Sequence, residues 1–406
     1  MINKFYYPKG GAERHFFDLK KLLEDHGHQV VPLAMVDKNN FDTPYKKYFI
    51  SRVETEKINW HWSAIKTIFR FFYSFEARRK IRTLIMEEKP DLVHFHNIYH
   101  QISPSILPIF KKFGLPVIMT VHDHKLVAPN YYLKNARGQI CGQDHNFWQC
   151  IYKKCIKNSV LASLVCVLEF YFHQLIGYYR KYVDFYIVPS AYLANRLITA
   201  GYQKNKIIIL PHFIESNKAG QNHVPAKNER ELFVAYMGRL SSEKGLDTLF
   251  QALIKTQQKV RLKVIGSGEL EKYRLLAANL KLTSRIEFIS YPKDGKINEL
   301  LEGCLAVVIP SLVPETFGLS VLEAYRFGKP VITTREGALP EIVTEGETGY
   351  MFESHDEKKL SELLDQVFSN KEVFLRLGEK AKNIVERDYN SENYYQHLIK
   401  LYQQLI

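Results

Sequence analysis

Cysteine is scarce in this chain. Five in 406 residues are too few and too scattered for a disulfide framework. No apolar run of about 18 residues, the length a membrane helix needs, is free of charge, and the N-terminus carries no signal-peptide pattern; a cytoplasmic location is the expectation. No Asp-x-Asp pair is present to carry a divalent metal, so neither a catalytic metal nor a cofactor is expected. The short Gly266-Ser267-Gly268 run lacks the third glycine of a dinucleotide fingerprint and comes late in the chain, which argues against a Rossmann dehydrogenase. Acidic residues run short in one half only. Residues 1–210 hold 30 Lys and Arg against 16 Asp and Glu, while the rest holds 26 against 27. Nucleic acid, anionic lipid or an anionic substrate could each account for such an excess, as could a merely solvated basic surface.

What is present is ordinary globular composition, 46% hydrophobic and 24% charged, with length enough for two sizeable α/β domains. The most informative stretch is 305–337, LAVVIPSLVPETFGLSVLEAYRFGKPVITTREG. Residues 305–310 predict a buried strand, Pro314 and Gly318 break it, 320–327 resume with helical period, and 330–334 predict another strand. In such a parallel strand–loop–helix–strand unit, ligands gather where strand ends meet helix starts. Glu315 precedes the helix and Glu323 lies about two turns in, at most ~12 Å apart along the axis. The N–H groups of Phe317, Gly318 and Leu319 lie between them at the positive helix end, suited to phosphate as the carboxylates are to hydroxyls.

The segment PSLVPETFGLSVLEAYRFGKPVI closely resembles the E-x7-E signature of the family 4 retaining glycosyltransferases. That resemblance implies a GT-B fold: α/β, two Rossmann-like domains facing a cleft, with the C-terminal helix crossing back to the first domain. It covers almost the whole chain, strongest over 232–352 and absent over 37–63. The expected domains are 1–214, acceptor-binding, with 386–406 packing back on it, and 215–385, nucleotide-sugar-binding.

Other segments carry the resemblance further. YPKGGAERH, with Gly10 and Gly11 at a strand-to-helix turn before a helix over 12–26, is similar to the family's first loop, which faces acceptor and donor phosphates. A second strand is predicted over 30–35. Strands over 91–95 and 117–121 end in His94, His96 and Asn97 and in His122, at the end where parallel sheets bind ligands. TVHDHKLVAP resembles the segment that sets a histidine, here His122, beside the donor sugar. In GRLSSEKG, after a strand over 232–237, Arg239 and Lys244 match the family's diphosphate-binding pair, a fork and a point charge. Gly266 follows the next strand, and 291–292 lies where relatives hold the nucleobase. Relatives usually show a glycine pair where Gly337 and Ala338 stand.

Three regions are less specific. The segment 63–85 predicts one amphipathic helix, with Ile65, Ile68, Phe69, Phe72 and Phe75 on one face, packed or also touching membrane. Cys141, Cys150 and Cys155, with Asp144 and His145 nearby, have the wrong spacing for a zinc knuckle; free thiols are expected before a structural metal. Over 159–179 a narrow polar stripe of Ser159, Ser163, Cys166, Glu169 and His173 marks a helix with a wide apolar face, not a transmembrane span. The polar stretch 215–229 predicts the linker, and the first strand looks clipped at its start.

By resemblance, the chain is expected to move a sugar with retention from a nucleotide-diphosphate donor to a saccharide or lipid-linked acceptor in bacterial cell-surface polysaccharide or lipopolysaccharide synthesis. Glu323 would bind ribose and Glu315 the sugar. Arg239, Lys244 and the helix start at Gly318 would neutralise the leaving diphosphate. His122 would orient the sugar, with Gly11 and Gly266 at the donor. An anionic membrane surface is a further expected contact, and no nucleic acid is. The alternatives are a nucleotide-sugar 2-epimerase of the same fold and a non-catalytic nucleotide-sugar-binding protein.

Overall fold

The structure, a computed structural model, describes residues 1–53, 62–133, 146–215, 232–290, 297–301 and 303–406. It divides into two compact units: Met1–His212 with Glu392–Ile406, and Phe213–Ser391. The 291–292 loop, Cys141, Asp144, His145 and nearly all of the expected linker lie outside the described residues.

The first unit is built on a four-stranded parallel sheet, β1 (Val93–Phe95), β2 (Val117–Thr120), β3 (Phe185–Val188) and β4 (Ile207–Ile209), in that order. β1 and β2 are wholly buried, as continuous apolar strands of a covered parallel sheet must be. Beyond β1, Ile2 bridges both Phe95 and Leu33. Residues 30–35, expected as a regular strand, contribute only isolated bridges at Leu33 and Met35; their partners beside them, at Ile2 and Ile50, meet them one residue at a time. The helix Gly11–Asp25 buries Phe16, Leu19, Leu22 and Leu23, one face at helical spacing. The helix Ser391–Gln403 joins this unit and buries Tyr394, Leu398, Leu401 and Tyr402.

The single helix expected over 63–85 is two, Trp62–Phe72 and Phe75–Glu88. Ser74 separates them. Its backbone is extended and its side chain accepts from the Ala77 N–H, so the hydroxyl starts a new helix where periodicity alone would continue the old one. The helix Val160–Ile176 is capped by Ser159, which accepts from the Ala162 N–H, and stopped by Gly177 in the left-handed region.

The second unit carries a six-stranded parallel sheet: β5 (Phe233–Met237), β6 (Leu262–Ile265), β7 (Ile286–Ile289), β8 (Cys304–Ile309), β9 (Val331–Thr334) and β10 (Gly349–Phe352). Its order is β10-β9-β8-β5-β6-β7. Apolar clusters cover both faces, one around Leu249, Leu253 and Leu364 and the other around Val321, Tyr325 and Leu339. Because β6 and β7 add on one side of β5 and β8 to β10 on the other, the winding reverses between β5 and β8. A ligand crevice opens at such a switch point, beyond the carboxyl ends of the strands.

Candidate functional site

Arg239 and Lys244 follow β5, and Glu315 follows β8, on the two sides of that switch point. Lys244 lies in a short turn, Ser242–Lys244, directly before the helix Leu246–Lys255. Its Nζ lies 2.5 Å from Glu315 Oε1, which also accepts from Ser311 Oγ at 2.7 Å. Gly245 makes this approach feasible: it has φ +74°, and a Cβ there would lie 1.9 Å from the Pro310 carbonyl oxygen. The Leu312 N–H also donates to the Glu243 carbonyl, 2.9 Å away, tying the two loops together. Arg239 Nη2 lies 2.8 Å from Glu243 Oε1, and the Tyr236 hydroxyl donates to the Arg239 carbonyl at 2.6 Å.

Gly318 caps the helix Leu319–Arg326, whose Val321 N–H donates to the Gly318 carbonyl at 2.9 Å, and the N–H groups that open a helix point out along its axis at its positive end. Phe317 is buried, its ring 6.1 Å from that of Tyr389. Glu323 is half-buried in that helix's second turn. The Ala338 N–H donates to the Glu315 carbonyl at 2.8 Å, and Gly337 bridges Glu315, which fixes the loop from β9 against the loop from β8. Gly266 directly follows β6, and a Cβ there would lie 1.8 Å from the Gly238 carbonyl oxygen. The second unit therefore brings Arg239, Lys244, Gly266, Glu315, Phe317, Gly318, Leu319 and Glu323 to one end of one sheet. Two cations, two carboxylates and a helix start make a site for an anion with attached hydroxyls. Each cation holds a carboxylate, so its charge is balanced until an anion competes for it.

The first unit holds His122 and Gly11. Gly11 is exposed as the first residue of its helix. His122 is buried, and its Nε2 lies 2.8 Å from His96 Nδ1. His94 stacks on His96 at 4.8 Å between centroids and is hydrogen-bonded through Nδ1 to the Tyr402 hydroxyl (2.6 Å) and through Nε2 to Thr120 Oγ1 (2.7 Å). Two further histidines complete the cluster, His15 and His212, with ring centroids 3.9 Å apart, and His212 lies 5.1 Å from His122.

Burial pushes all five imidazoles well below the usual histidine range, His15 to about 3. They are neutral at pH 7, and the ring-to-ring hydrogen bond between His96 and His122 requires one donor and one acceptor. Sequence reasoning found His94, His96 and His122 but not His15 or His212. His212 carries the signal used for the others, a histidine just past the end of a parallel strand. It was missed because a proline separates it from the apolar run.

Among the described residues no cluster of histidine, cysteine or acidic side chains is arranged to hold a metal. Cys150 is buried and Cys155 half-buried, both as free thiols.

Comparison with known proteins assigns the chain. A family model described as Glycosyltransferase Family 4 matches residues 9–218, and one described as Glycosyl transferases group 1 matches residues 218–384. The chain belongs to glycosyltransferase family 4. This glycosyltransferase is 28% identical to a 42.6 kDa protein in the cps region of Klebsiella pneumoniae, over 84% of this chain and 86% of that one. It is 25% identical to O-antigen chain mannosyltransferase C of Escherichia coli, over 55% of this chain and 62% of that enzyme. HepE of Anabaena, solved with UDP and glucose, matches with a TM-score of 0.69 at 14% identity, over 99% of this chain and 98% of that one. At that identity the likeness shows the fold, GT-B, alone.

Proposed function

We propose that this glycosyltransferase moves a sugar, with retention of anomeric configuration, from a nucleotide-diphosphate sugar to a saccharide or lipid-linked acceptor in bacterial cell-surface polysaccharide or lipopolysaccharide synthesis. The observation that carries the reading is the pairing of Lys244 with Glu315 across the β5/β8 switch point, beside Arg239 and the helix start at Gly318. A bound diphosphate takes Arg239, Lys244 and the N–H groups of Gly318 and Leu319. Glu315, released from Lys244, accepts from sugar hydroxyls, and Glu323 accepts from ribose hydroxyls. Gly266 lets backbone approach the donor closely. His122 and Gly11 of the first unit are assigned to the sugar and the phosphates, and the acceptor to the same unit.

In the reaction the bond from the anomeric carbon to the diphosphate oxygen breaks, and its electron pair leaves with the diphosphate. The cations and N–H groups meet the charge that develops there. The acceptor oxygen bonds to the same face of the sugar, and its proton passes to the departing phosphate oxygen. No step calls for a metal, a cofactor or a nucleic acid, and the reaction is assigned to the cytoplasm. HepE's complex with UDP and glucose and the O-antigen mannosyltransferase support this class of donor and product.

A thermal-shift screen against UDP-, GDP- and ADP-sugars tests the donor. The right one, at ~100 times its Kd, adds ~2.7 kcal/mol of stability, and no shift with any of them removes the assignment. The anomer formed on the acceptor, read by NMR, tests retention. Epimerised sugar released without acceptor would assign the chain instead as a 2-epimerase.

A further inference from the structure

The helix Val160–Ile176 is seated with its polar stripe inward. Ser163, Glu169 and His173 are buried, while Val160, Leu161, Leu168, Phe172 and Leu175 are exposed, Leu175 to 86%. A buried network holds it there. Glu169 Oε2 lies 3.1 Å from Lys125 Nζ, its carboxylate is flanked by His100 and His173, and His173 Nε2 donates to the Phe71 carbonyl at 2.9 Å. Burial alone would raise the Glu169 carboxyl, but Lys125 and the two histidines bring it down to about 2.

The outward apolar face continues onto the helix Trp62–Phe72. Phe72 meets Phe172 edge-on at 5.1 Å, and Phe69, one turn before Phe72 on the same face, is 70% exposed.

Charge brackets this face. Residues 146–182 contain five cations, Lys153, Lys154, Lys157, Arg180 and Lys181, and one acid, the buried Glu169. The cations are all exposed, three before the helix and two after it. Exposed Trp148 and Tyr152 stand before the same helix, Trp148 stacked on Tyr171 at 5.1 Å. Apolar residues along one face, cations at both ends and amphipathic aromatics beside them form the pattern that binds an anionic bilayer surface. By length and composition, Val160–Tyr182 could also cross a membrane. To do so it would have to leave its seat and expose Glu169 to hydrocarbon, whereas lying flat keeps the network intact.

We propose that this outward face docks the first unit on an anionic lipid bilayer, with Leu168, Phe172 and Leu175 entering the headgroup boundary and the five cations at the lipid phosphates. This goes beyond the donor reading and stands without it, because vesicle binding is measured with no nucleotide sugar present. The test is sedimentation with phosphatidylglycerol-containing and with pure phosphatidylcholine vesicles, at low and high salt. Wild type should pellet with the anionic vesicles and be released by salt, since the attraction decays over a Debye length of ~8 Å at physiological ionic strength.

Leu175→Glu should lower the partition about tenfold or more. A Lys153, Lys154 and Lys157→Glu triple variant should lower it by about fivefold or more per residue. Leu375→Glu, an exposed apolar position in the second unit, is the control and should bind as wild type. If Leu175→Glu does not fold, the exposed lysines read the same face. Equal binding to both vesicle types, or a wild-type partition in the Leu175 and lysine variants, overturns the proposal. So does a wild-type dimer without vesicles that Leu175→Glu turns into a monomer, which would make the face a contact between copies.

Discussion

The two units end their sheets in opposite chemistry. In the first, five histidines gather, buried and neutral: His94 within β1, His96, His122 and His212 just past strands, and His15 in the first helix. In the second, two cations stand at the strand ends, partly open to water and each paired with a carboxylate, Arg239 with Glu243 and Lys244 with Glu315. A partly exposed pair such as Lys244–Glu315 contributes little stability, about 0–1 kcal/mol, so it can exchange one partner for a ligand at small cost. Buried imidazoles cannot do the same. They orient a hydroxyl by donating or accepting a hydrogen bond, and they resist protonation because burial penalises the charged form. The second unit thus suits a ligand that brings charge, and the first one that brings hydroxyls.

The sharpest way to break the comparison is to remove the charges. Arg239→Ala or Lys244→Ala should cut turnover by ~10²–10³-fold, the scale of a lost charge-stabilising donor, while thermal stability moves little. Steady-state kinetics beside a melting curve checks both halves. Wild-type kinetics in both variants would end the diphosphate assignment. A large fall in Tm would mean that the cations hold the fold together and are not poised for a ligand.

The next effect belongs to the histidines. All five have folded-state values below the unfolded value of ~6.5, so the unfolded chain takes up protons first as pH falls. The stability they contribute is fully present above ~6.5. It is lost on acidification at up to ~1.4 kcal/mol per histidine per pH unit, until the folded value is reached, about 3 for His15. Glu13 and Asp123, whose buried carboxyls are raised, act in the opposite sense and reduce the sum. Denaturant unfolding should therefore show a loss of a few kcal/mol between about pH 7.5 and 5.5, with a shallower slope in His212→Gln. An unchanged stability over that range would show the cluster to be open to solvent.

The second unit was the more legible in the sequence, for a physical reason. Its strands are short apolar runs punctuated by Pro314, Gly318 and Gly337, and its site residues sit in the loops those breakers make. What the sequence hid was mostly a matter of which side faces inward. A stripe of Ser163, Glu169 and His173 is visible in the periodicity of 159–179, but the period does not say whether the stripe meets water or the core. The core partners Lys125 and His100 lie far away in the chain. Ser74 was hidden for a different reason, since one hydroxyl outweighed a helical pattern that ran across it. Arg239 and Lys244 were legible, but Glu243, the carboxylate that Arg239 holds, was not, because a single acid in a polar loop carries no pattern.

The smallest expected effect is none at all, and it tests the same contrast from the side of the charges. If Arg239, Lys244 and the helix start at Gly318 supply the positive charge that a departing diphosphate needs, a divalent ion has no task left there, and the chain offers no Asp-x-Asp to hold one. Activity should then be unchanged by EDTA and by added Mg²⁺ or Mn²⁺. Activity that dies with chelation and returns with either ion would show that the two cations are insufficient and that the site recruits a metal with its carboxylates. A fall in Tm together with activity would point elsewhere, to a structural metal at Cys141, Cys150 and Cys155. The two losses are separable, because a metal that acts only on the diphosphate leaves the unfolding of the donor-free protein unchanged, whereas a structural ion shifts it with no donor present.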